Sequence, residues 1–125
     1  MKIRIYYHHT DCGGVVYYGN YLKFLEEART EYFEERGLSI KWLLNEGIIF
    51  VVRHQEIEYI KPVFYADILT IKAKISDISS VKITFDYDIR NQEQIITTKA
   101  KTVLVCVDKN LKPQKIPESI IKKLC

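Results

Sequence analysis

Asp11 stands in a glycine turn just ahead of a long amphipathic pattern, in the run Thr10-Asp11-Cys12-Gly13-Gly14-Val15-Val16-Tyr17-Tyr18-Gly19-Asn20-Tyr21. Gly13 and Gly14 allow close approach of backbone to backbone, or of backbone to ligand. Gly19 and Asn20 open a helix whose first N–H groups have no partner within it. A carboxylate facing such a terminus has a chemical logic. The N–H groups can hold an oxyanion while the carboxylate attacks or activates water. An Asp in such a turn is also suited to a purely local task, the Asx-turn or helix cap.

Other side chains nearby invite other chemistry. His8 and His9 precede Asp11 and Cys12. Adjacent strand residues point to opposite faces, so the two imidazoles are not expected to share a metal. One of them can line a cleft as a proton carrier. Cys12 is a poor nucleophile here, because a neighbouring carboxylate raises a thiol pKa. His54 has no assigned task. Arg53, Lys61, Arg90, Lys99 and Lys101 could meet phosphate, although each reads as a solvated strand residue.

These residues need elements to position them. Ile3, Ile5 and Tyr7 alternate with Lys2, Arg4 and Tyr6, which predicts a first strand. Asn20 to about Arg36 predicts a helix roughly 25 Å long at 1.5 Å per residue. Tyr21, Leu22, Phe24, Leu25, Ala28, Tyr32 and Phe33 cover roughly half of its circumference. So wide an arc suggests a helix cradled by a curved sheet. Arg29 lies inside that arc. Either its stem packs and its head reaches water, or it pairs with a carboxylate from the sheet or a partner subunit. Gly37 is a fitting stop.

Ser39 to about Glu46 reads as a short helix with Ser39 as N-cap. Ile49 to Ile60 is extended, and Pro62 ends it or marks an edge. Leu69, Ile71, Ala73 and Ile75 alternate with polar neighbours, as do Val81, Ile83, Phe85, Tyr87 and Ile89. Ile96, Thr98, Ala100, Thr102, Leu104 and Cys106 form the inner face of a last strand. Turns fall at Ser79-Ser80 and Asn91–Glu93. Pro117 and Glu118 suit a short closing helix. Tight turns among the four later strands imply antiparallel neighbours. The expected architecture is therefore α+β, one long helix on one antiparallel sheet, a single domain over residues 1–125.

Bulk numbers agree with this. The net charge of +3 is too mild to argue for nucleic acid. Nine tyrosines suit clefts and subunit contacts. Cys12, Cys106 and Cys125 are too few and too scattered for a disulfide framework or zinc site, and they read as reduced thiols in a cytoplasmic protein. Met1-Lys2-Ile3-Arg4 enters the strand pattern directly, with no signal-peptide core. Ile48 to Val52 is too short to span a bilayer.

The Thr10–Tyr21 run resembles the signature of the hotdog-fold 4-hydroxybenzoyl-CoA thioesterase family. Glu27-Ala28-Arg29-Thr30-Glu31, Glu58-Tyr59-Ile60-Lys61-Pro62, Asp67-Ile68-Leu69 and Ile116-Pro117-Glu118 resemble its YbgC-like acyl-CoA thioesterase branch. The resemblance implies a sheet wrapped around the long helix and an acyl-CoA substrate. It also implies a homodimer or homotetramer joined edge to edge, with active sites at the subunit interface. No cofactor, metal, nucleic acid or membrane span is expected. Asp11 takes the catalytic position, as nucleophile or general base. The backbone N–H of Tyr18 polarises the thioester carbonyl, Tyr7 is a further active-site tyrosine, and Gly14, Val15 and Tyr17 meet the substrate. The branch usually carries His where this chain has Tyr18. Two other readings stay open. One is a hydroxyacyl dehydratase or hydratase of the same fold, against which the absence of His on the long helix counts. The other is a non-catalytic module binding an acyl carrier or protein partner.

Overall fold

A computed structural model describes residues 1–125. The elements in chain order are β1 (Lys2–Arg4), a 3-10 turn (Tyr7–His9), α1 (Asn20–Glu35), α2 (Ile40–Asn45), β2 (Ile49–Tyr59), β3 (Ile68–Ile78), β4 (Lys82–Arg90), β5 (Ile96–Val107) and α3 (Glu118–Leu124). The five strands form one antiparallel sheet in the order β1-β3-β4-β5-β2. Tyr21, Phe24, Leu25, Ala28 and Phe33 bury the inner side of α1 against it. Leu22, expected inside that arc, is half exposed at 50%. Ser39 caps α2 as its type predicts, its Oγ accepting the Trp42 N–H at 3.0 Å.

Two expectations are corrected. The first strand does not run through Tyr7. It ends at Arg4, and the chain tightens into the 3-10 turn, where the Tyr6 N–H donates to His9 Nδ1 at 2.9 Å. The premise that His8 and His9 point to opposite faces therefore fails, and their ring centroids are 4.1 Å apart. Second, β2 does not pair with β3 across a tight turn. It lies at the far edge beside β5, and residues 60–67 carry the chain across to β3. That crossing is useful. The carbonyl of Val63 accepts the Val16 N–H at 2.8 Å, and Val15 bridges to Phe64, so the segment after Asp11 is docked on it.

Bulges interrupt the ladder at Val52/His54, Ile75/Asp77 and Ile89/Arg90. Each adds local twist and helps the sheet curl. The last one breaks the alternation of β5, so adjacent Thr97 and Thr98 are both fully buried. Thr97 answers its burial by donating to the Ile89 carbonyl at 3.3 Å.

Arg29 is half-buried and finds no carboxylate within its own chain. Its Nη1 donates to the Tyr87 hydroxyl at 3.2 Å and to Thr102 Oγ1 at 3.5 Å, and Thr102 in turn donates to Gln55 Oε1 at 2.7 Å. The cation is held by neutral hydroxyls of the sheet. Arg29→Met is expected to lower unfolding free energy by about 1–3 kcal/mol, because partly buried hydroxyls lose a charged partner. Urea melts would read this, and an unchanged midpoint would refute the assigned structural role.

The sheet face turned away from α1 carries two rows of alternating charge. Lys74, Asp86, Lys101 and Glu56 lie opposite one another across β3, β4, β5 and β2, and so do Lys72, Asp88, Lys99 and Glu58. No Lys–acid pair in these rows closes to a salt bridge, so each facing pair contributes only a fraction of a kcal/mol through longer-range attraction. Lys99→Glu sets three acids side by side, and a loss of about 1 kcal/mol is expected, shrinking as salt is added. Equal losses at low and high salt would argue against a charge effect.

Candidate active site

Asp11 sits in a turn closed by its own backbone. Its N–H donates to the Val15 carbonyl at 2.9 Å, and its carbonyl accepts the Gly14 N–H at 3.1 Å. The carboxylate also works locally, with Oδ1 accepting the Gly13 N–H at 2.8 Å. This is the Asx-turn expected of an Asp at such a place, and the side chain is nevertheless solvent-exposed. Gly14 holds φ +83°, a left-handed conformation that any side chain would strain.

The connection into α1 is fixed by backbone bonds. The Tyr17 N–H and Asn20 Nδ2 both donate to the His9 carbonyl, at 2.9 and 2.8 Å. The Asn20 and Tyr21 N–H groups donate to the carbonyls of Tyr17 and Tyr18. The N–H groups of Tyr18 and Gly19 are left without an acceptor in the chain. A hollow of about 380 Å³ lies at this helix entry. Asp11, Thr10 and Tyr17 wall it from the turn, Gly19 from the N-cap of α1, Asn20 and Lys23 from α1 itself, and His8 from the 3-10 turn.

Of the residues singled out from sequence, the hollow thus gathers Asp11, Tyr17 and His8, one of the two histidines considered as a cleft-lining proton carrier. Tyr7, Gly14, Val15 and Tyr18 are not among its walls. Tyr7 is 79% exposed, its ring edge-on to Tyr65 at 6.3 Å. Tyr18 is exposed too, with its carbonyl accepting the Tyr59 hydroxyl at 3.4 Å. Asn20 and Lys23 were not foreseen. Their i, i+3 spacing on the first turn of α1, which puts them on one side, was the available signal. A larger hollow of about 930 Å³ lies at the sheet, lined by Ala28 and Tyr32 among others, and shares no residue with this one. It lacks the free helix-entry amides, so volume does not decide the site.

Burial, then the nearby charges of His8 and Lys23, hold the His9 pKa below its ordinary value. The Tyr17 phenol is pushed up by its pairing with the Tyr18 side chain, the two rings standing 4.7 Å apart. Burial pushes Tyr21 up as well. No three histidine, cysteine or acidic side chains converge into a metal site. No helix is long and apolar enough to cross a membrane.

A family model described as the thioesterase-like superfamily matches residues 6–124. The chain belongs to that superfamily. It is 38% identical over 120 residues to the acyl-CoA thioester hydrolase YbgC of Escherichia coli O157:H7, covering 95% of this chain and 90% of that one. A hypothetical protein of Aquifex aeolicus superposes with a TM-score of 0.95 at 29% identity, covering 100% of this chain and 98% of that one. A DHNA-CoA thioesterase of Staphylococcus aureus gives 0.89 at 30% identity, with 92% of this chain and 78% of that one covered. The architecture is the hotdog fold, and the protein is a thioester hydrolase. In this thioesterase the helix inside the curl is α1, and the candidate site lies where α1 begins.

Proposed function

We propose that this thioesterase hydrolyses an acyl-CoA thioester to free coenzyme A and a carboxylic acid. Asp11 delivers the oxygen, by direct attack to form a mixed anhydride or by positioning a water. The N–H of Tyr18, with that of Gly19 beside it, holds the carbonyl oxygen as negative charge develops there. The observation that carries this reading is the conjunction at one helix entry of an exposed carboxylate, a hollow and two N–H groups with no acceptor. The likeness to YbgC supports the substrate class. Tyr7 belongs to the same reading as an active-site tyrosine, and Gly14 and Val15 as the backbone that the substrate passes. Tyr18, not His, occupies position 18. A backbone role survives that change and an imidazole role does not.

We further place two or four copies together, with the substrate at their contact. The outer edge of β2 spans Ile49–Tyr59 without a strand beside it, and exposed Leu22 and Tyr59 lie near the helix entry. A long open edge favours pairing with another chain. Release of thiol from a panel of acyl-CoAs tests the activity. Thiol appearing with one class of acyl group supports it. A change in enoyl absorbance without thiol would replace hydrolysis with hydration chemistry.

A further inference from the structure

The Asp11 hollow contains an imidazole for which the mechanism above has no use. The chain has three histidines, and two are occupied. His9 Nδ1 accepts the Tyr6 N–H at 2.9 Å, and its ring stands edge-on to Phe24 at 5.4 Å. His54 Nε2 is bonded to Glu56 Oε1 at 2.8 Å on the outer sheet face. His8 has neither ring nitrogen engaged by a protein group, and it walls the hollow that holds Asp11. The 3-10 turn makes this possible, since a strand would have sent the rings of His8 and His9 to opposite faces.

We propose that His8 is a further catalytic residue, the proton donor to the departing sulfur. The inference rests on the thioesterase reading and on Asp11 as the group that delivers oxygen. In the water route, the water oxygen bonds to the carbonyl carbon and its proton passes to Asp11. The C–S bond then breaks with its electron pair on sulfur, and the imidazolium of His8 transfers its proton there to give the thiol. Solvent reprotonates His8 and takes the proton from Asp11, leaving acid and thiol from thioester and water. In the anhydride route the same donation accompanies the first C–S cleavage. Asp11 from the glycine turn and Lys23 from α1 are the charged groups that line the hollow with His8. On its own turn stand Tyr6, stacked at 6.2 Å, and His9, at 4.1 Å, while the Tyr17 phenol lines the same hollow.

The test compares the protein with its His8→Gln variant on two substrates sharing one acyl group. One is the acyl-CoA and the other is the thiophenyl ester, whose thiol is acidic enough to leave without help. With the acyl-CoA, kcat is expected to fall about 100-fold, and the limb of the pH profile belonging to the imidazolium is expected to vanish. With the thiophenyl ester, kcat should change little. His8 is exposed, so the variant is expected to fold, and His8→Asn provides a second version of the same test. Equal losses on both esters, or none, in an active protein would overturn the role of His8 alone. A wild-type protein that releases no thiol from any acyl-CoA would overturn the thioesterase reading, and this proposal with it.

Discussion

Asp11→Asn is expected to lower kcat for thioester hydrolysis by about a hundred- to ten-thousand-fold, with the melting temperature unchanged. The substitution is informative because of the local geometry. Asp11 Oδ1 already accepts the Gly13 N–H at 2.8 Å. An Asn side chain keeps an oxygen at that place and can close the same turn. What it loses is the negative charge that attacks or takes a proton. Asp11→Ala loses both, and should add a small stability cost to the same kinetic defect. Thiol release at saturating substrate, alongside thermal unfolding of each variant, separates the two effects. A wild-type rate in the Asn variant would leave the carboxylate with its capping task only, and the mechanism would need another oxygen.

The largest expected effect on stability belongs to Phe85→Ala, at about 3–5 kcal/mol. Phe85 is fully buried in the middle of β4. Its ring is edge-on to Tyr32 at 5.1 Å and to Phe33 at 5.8 Å, and stacked on Tyr87 at 6.1 Å. Those neighbours come from both layers, so removing the ring opens a void that neither α1 nor the sheet can fill without moving the other. Domains of this size are stable by only about 5–15 kcal/mol, so a substantial part of the margin goes. Denaturant titration would measure it. A loss under about 1 kcal/mol would mean that α1 settles onto the sheet far more readily than close packing allows.

Faces were legible in the sequence and neighbours were not. Alternation along β3, β4 and β5 reported which side chains turn inward, and Leu69, Ile71, Ile83, Phe85, Ile89 and Leu104 are indeed buried. It carried no information about what lies beside a strand. The place of β2 next to β5 depends on contacts distant in sequence, such as Val51 with Val105. Periodicity also failed where one bond outweighed it. Tyr6 and Tyr7 continue the strand pattern, but His9 Nδ1 captures the Tyr6 N–H and the chain tightens. The candidate site divides in the same way. Asp11 was legible because turn glycines and a helix start mark it in one dimension. His8 as a wall of the hollow, and Lys23 reaching it from α1, depend on how two separate segments meet.

The charged rows on the back of the sheet bear on how a polyanion would approach. Lys72, Lys74, Lys99 and Lys101 are matched by Glu56, Glu58, Asp86 and Asp88, so the two rows carry no net charge. The whole surplus of +3 resides elsewhere on the molecule. The capture rate of a phosphate-bearing substrate arriving by diffusion should therefore respond to charge changes outside the rows while ignoring paired swaps within them.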